Sequence, residues 1–176
     1  MTSRIRALGI LAAGASLCGL ALTAPSRPSP RPQDQVPALP LEKTIAVAGD
    51  AGWVDTAIDV GPGDELRISA SGEINLQRGN PEAVCGPEGL DLVTGNQPIP
   101  NVNLGSLIGK VAQPVSRRVD VDSGIEIKDE IFILFPVGPE ATVTVPLKGR
   151  LYLGVNENVL KDNGGMYSAV VVRRPA

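Results

Sequence analysis

The sequence predicts an all-β protein, an antiparallel β-sandwich of jelly-roll type, and three observations carry that prediction. Apolar and polar residues alternate over short runs between residues 44 and 172. Gly, Pro, Asn and Asp punctuate those runs, as in Gly61-Pro62-Gly63-Asp64. No segment sustains a helical period for more than about two turns. Short strands separated by tight turns bury their apolar faces most simply as two facing antiparallel sheets.

Taken in chain order, residues 1–24 read as a signal peptide. Arg4 and Arg6 form a basic head, Ala7 to Thr23 carries no charge, and Ala21, Ala24 and Ser26 offer small residues for cleavage. A run of about 17 residues is short for a membrane span, so membrane contact is expected only in transit. A lipoprotein signal needs a small residue before Cys18, and Leu17 stands there. The mature protein is therefore expected to be secreted, or to reside in the periplasm or cell envelope. Residues 25–41 form a linker, since six prolines between Pro25 and Pro40 and few large apolar groups favour an extended tether.

The folded domain is assigned to 42–176. Its strands are expected at Thr44–Ala48, Val54–Val60, Glu65–Ala70, Leu107–Val111, Ile131–Phe135, Thr142–Leu147, Arg150–Val155 and Met166–Val172. The stretch from Arg78 to Asn103 is polar and rich in Gly and Pro, which makes it a long surface loop. Such loops on compact domains tend to carry function.

Composition removes several functions. A net charge of −3 leaves no electrostatic footprint for nucleic acid. The chain has no histidine, which takes away the commonest general base and the commonest transition-metal ligand together. There is no phosphate loop or nucleophile elbow. Asp120-Val121-Asp122-Ser123-Gly124 resembles the start of a calcium loop but lacks the later Glu of an EF-hand. The domain is read as non-enzymatic. Cleavage would remove Cys18, leaving Cys85 without a disulfide partner and without a His to activate it, so burial is its expected fate. Aromatic residues are 3% of the chain, a poor supply of rings for stacking against a sugar. Trp53, in an alternating run, is expected in the core.

Most of the chemistry lies between the last two strands. Asn156, Glu157, Asn158, Asp162 and Asn163, turned by Gly164 and Gly165, gather carboxylate and carboxamide oxygens at the density a hard cation such as Ca²⁺ requires. A polar turn of this composition is also common with no ligand at all. Glu157 and Asp162 share one short loop, unlike the carboxylates that face each other across a glycosidase cleft.

Gly52-Trp53-Val54-Asp55-Thr56-Ala57-Ile58, Pro62-Gly63-Asp64-Glu65-Leu66, Ala70-Ser71-Gly72, Cys85-Gly86-Pro87-Glu88-Gly89, Leu107-Ile108-Gly109-Lys110, Gly149 to Asn156 and Asp162-Asn163-Gly164-Gly165 follow one another in an order that is informative as a set. In that order and spacing they resemble the PA-I galactophilic lectin (PA-IL-like) family, over roughly residues 43 to 173. The resemblance implies a small jelly-roll sandwich that binds a galactoside-like glycan through one Ca²⁺, which also coordinates two sugar hydroxyls. Carried over position by position, it implies side-chain metal ligands at Glu157, Asp162 and Asn163, which also define the sugar site. Backbone carbonyls of Leu76 and of Val159 or Leu160 complete the implied set. Glu157 is one methylene longer than the family's Asp. Chelation of this kind needs an unfilled coordination position rather than an aromatic platform. The alternative is a structural or interaction sandwich of the cell envelope that keeps the architecture and has lost the sugar. Assembly into a homo-oligomer stays open.

Overall fold

The computed structural model describes residues 40–95, 97–120, 124 and 126–176. The expected signal peptide, nearly all of the expected Pro-rich linker and the centre of the Asp120–Gly124 motif lie outside the described residues. The strands are β1 (Leu41–Ala48), β2 (Val54–Val60), β3 (Glu65–Asn75), β4 (Val84–Cys85), β5 (Leu107–Val119), β6 (Glu126–Pro136), β7 (Glu140–Thr144), β8 (Gly149–Val155) and β9 (Gly164–Arg174). The one helical element among the described residues is a 3₁₀ turn, Pro81–Ala83, capped where Asn80 Oδ1 accepts from the Glu82 N–H at 3.0 Å.

The strands form the antiparallel sandwich expected. One sheet runs β1-β9-β3, with β7 and β4 sharing the far edge of β3; the other runs β2-β8-β5-β6. Strand β1 follows β9 along its whole length, from Leu41↔Arg173 to Ala48↔Met166. Alternation decides what goes inside. Val47, Leu66, Ile68, Ile74, Tyr167 and Val171 point inward from the first sheet, and Ile58, Leu107, Val111, Leu151 and Leu153 meet them from the second. Each such side chain stabilises the fold by about 1.5–3 kcal/mol on burial. Cys85 is a free thiol, buried in this core beside the Tyr167 hydroxyl at 3.5 Å.

Several elements differ from expectation, β3 among them, which runs past the predicted end at Ala70 to Asn75. Strands β5 and β6 outrun the predicted Leu107–Val111 and Ile131–Phe135. β5 pairs with β8 only as far as Ala112, and beyond that point it pairs with β6 alone, as a two-stranded ribbon. Val115 and Ile131 on this ribbon are each 60% exposed, so no buried face imposes an alternating pattern there. The strand predicted over Thr142–Leu147 is β7, Glu140–Thr144. The ladder with β3 reaches one residue further through the Val145 N–H, which donates to the Asp64 carbonyl at 2.8 Å, and ends at Pro146, which has no N–H to give. The 78–103 stretch is more structured than a plain loop, with the 3₁₀ turn, β4 and a bridge between Leu90 and Leu104.

Candidate functional site

One end of the sandwich gathers the β1–β2 loop (49–53), the turn after β3 (76–80) and the β8–β9 loop (156–163). The pairing of β1 and β3 on either side of β9 brings them together, through Ala48↔Met166 and Asn75↔Gly164. Asn163 is at the centre, with no exposed surface. Its Nδ2 donates to the Gly49 carbonyl at 3.0 Å and to Glu157 Oε2 at 2.7 Å. With the amide orientation so fixed, Oδ1 is left buried without a hydrogen-bond partner. An unmet buried acceptor of this kind costs about 1–3 kcal/mol.

Glu157 is half-buried. Burial pushes its carboxyl above the ordinary glutamate value; the Asn163 hydrogen bond opposes that shift, and the nearby Asp162 carboxylate adds to it. Asp162 itself is exposed, and its carbonyl accepts from the Arg78 N–H at 2.8 Å. The Arg78 guanidinium donates to the Asn163 carbonyl and lies 3.7 Å from Asp50. Arg78 thus holds the main chain of the loop. Val159 is 64% exposed, and Leu76 is buried with its N–H donating to the Ala83 carbonyl at 2.9 Å. Among the described residues no group of three or more His, Cys, Asp and Glu side chains converges. Of the predicted side-chain ligands, the structure joins Glu157 and Asn163 directly, with the Asp162 carboxylate near enough to act on Glu157 through its charge.

Asn156 does not join them. Its Oδ1 accepts from the Ile99 N–H at 2.8 Å, and its Nδ2 donates to the carbonyls of Ile99, Val102 and Asn103 at 3.1 to 3.2 Å. Buried Gln97 adds bonds to Ile99 and Val102, so the loop from 97 to 103 is wound around two carboxamides.

Trp53 corrects the expectation of a core residue. Immediately before β2, it continues the outward phase of Asp55, which pairs with Tyr152, whereas Val54 pairs with buried Leu153. Its ring lies on Gly154, where an added Cβ would stand 3.0 Å from Trp53 Cε3. The side chain remains 37% exposed. Lys110 Nζ is 5.1 Å from the Trp53 ring centre, 5.0 Å from that of Tyr152 and 5.9 Å from that of Phe132. Three of the aromatic rings, Trp53, Tyr152 and Phe132, therefore share one outer surface around Lys110, while Tyr167 and Phe135 are buried in the core. The phase of Trp53 relative to Asp55 was the available sequence signal.

A cavity of about 150 Å³ opens beside this ring, lined by Trp53, Pro98, Gly154, Glu157, Asn158 and Leu160 among others. A larger open groove of about 510 Å³ lies further along the same sheet face, between Asp59, Glu130 and Arg150. Its charges are partly paired, Arg150 with Asp59 at 3.1 Å and Glu130 with Lys110 at 3.1 Å, and Arg117 and Lys148 also line it.

Among solved structures, the N-terminal domain of EclA, described as a PllA-like lectin, is similar to this chain with a TM-score of 0.52 and 21% identity, covering 74% of this chain and 95% of that one. What the two share is a fold. A virus-like particle of the Macrobrachium rosenbergii extra small virus also aligns, over 96% of each chain, at 14% identity and a TM-score of 0.19, too low to bear on the architecture. No family model and no curated protein matches the chain.

Proposed function

We propose that the domain is an exported, non-catalytic, Ca²⁺-dependent carbohydrate-binding module for a galactoside-like glycan. The observation that carries this reading is the unpartnered, buried Oδ1 of Asn163, fixed in place by its own Nδ2 bonds. Ca²⁺ takes oxygen donors, and Asn163 Oδ1 with the carboxylates of Glu157 and Asp162 would hold it. The family resemblance adds the carbonyls of Leu76 and Val159. Neutralising two neighbouring carboxylates would also remove their mutual repulsion. When bound, the ion supplies coordination positions for sugar hydroxyls. The lectin description of the EclA domain supports a glycan as the ligand.

The test is calorimetry and thermal melting with Ca²⁺ and with a chelator. Ca²⁺ should raise the melting temperature, by the equivalent of about 2.7 kcal/mol at a hundredfold excess over Kd. Asp162→Ala should remove that rise and any galactoside binding while the sandwich stays folded. A glycan array read with and without chelator identifies the sugar. Absence of Ca²⁺ binding at millimolar concentration would leave the interaction-module reading, which the Arg78 guanidinium favours because it already supplies positive charge beside the loop.

A further inference from the structure

The resemblance that points to Ca²⁺ calls for no aromatic wall, yet this chain has one. We propose that Trp53 is a specificity-determining residue that receives the C–H-rich face of a hexopyranoside whose hydroxyls are held at the Glu157–Asn163 loop, a role that presupposes the Ca²⁺-dependent reading above. Trp53 and Glu157 line the same cavity. Its volume, about 150 Å³, suits a single sugar ring. The walls are divided by chemistry, with Glu157 and Asn158 polar and Trp53, Pro98, Leu160 and Gly154 apolar. A pyranose is divided in the same way, with hydroxyls around its rim and C–H groups clustered on a face. Ligand pockets combine a few placed polar groups with apolar and aromatic walls in this manner.

The indole is also held in advance. Gly154 lets it lie against β8, since a Cβ there would stand 3.0 Å from the ring and press it outward by a few tenths of an ångström, and the Lys110 ammonium is within cation–π distance. A ring already in position loses little freedom when a ligand arrives. Burial in the core does not explain this tryptophan, because it is 37% exposed.

The experiment uses the full mature chain, titrated first with Ca²⁺ and then, at saturating Ca²⁺, with methyl β-galactoside. Trp53→Ala should leave Ca²⁺ affinity within about twofold and weaken galactoside binding by about tenfold or more, while Trp53→Phe keeps most of it. Gly154→Ala, which displaces the ring without removing it, should weaken the sugar and spare the metal. Trp53 is the only tryptophan, so galactoside should change the intrinsic fluorescence of the wild-type protein. Equal galactoside affinity in wild type and Trp53→Ala, or Ca²⁺ binding with no galactoside binding, overturns the role of Trp53. Failure of the wild type to bind Ca²⁺ overturns the metal-dependent reading itself, and the Trp53 role with it.

Discussion

Asn156 and Asn163 are the same side chain in the same loop, and the fold uses them in opposite ways. Asn156 meets four backbone groups of a loop 53 to 57 residues away in sequence, whereas Asn163 leaves its oxygen unmet. Asn156→Ala would leave several buried backbone groups without partners. It should lower stability by about 2–3 kcal/mol and expose the 97–103 loop to limited proteolysis. The oxygen-rich segment was legible in the sequence. Which carboxamide turns inward was not, because that depends on partners brought up by the tertiary fold. Asp64 shows the same dependence. Its burial would raise its pKa, but the Gly61 N–H at 2.7 Å, Arg173 Nε at 2.7 Å and the Ala176 N–H at 3.2 Å outweigh that and hold the carboxyl below the ordinary value of 3.8. A lowered folded-state pKa means that the unfolded chain takes up the proton more readily. The stabilisation is therefore present above 3.8 and is lost as pH falls through the folded value. Asp64→Asn should cost about 2 kcal/mol at neutral pH and flatten the acid limb of a melting-temperature profile.

At the scale of elements, strands with one buried face were readable and the others were not. β2, β8 and β9 alternate because the core removes every second side chain from water. The β5–β6 ribbon has no such constraint, and neither does β4, a two-residue strand held by Ile74↔Cys85 and Asn75↔Val84. β4 is placed instead by the Tyr167 hydroxyl, which lies 2.7 Å from the Gly86 carbonyl and 3.0 Å from that of Gly105. Past Ala112 the ribbon has, among the described residues, neither a third strand nor a core beneath it. Amide exchange from Gln113 to Val119 should accordingly be faster than from Leu107 to Ala112 within the same strand. Equal protection along all of β5 would show that something else covers the ribbon.

For the whole molecule, the sandwich rests on many ordinary apolar contacts, and the candidate site adds little to them because it occupies loops at one end. That division lets the 156–163 loop be altered without unfolding the domain. The register of β1 against β9 has a spatial consequence. The chain enters the domain at Leu41 beside Arg173 and reaches the Gly49–Asn163 cluster only after running the length of β1. At about 3.3 Å per residue, some 25 Å separates the two poles. A domain anchored through either flank of its sequence, to a surface, a fusion partner or a sensor chip, would present its candidate binding loop to the medium rather than to the anchor.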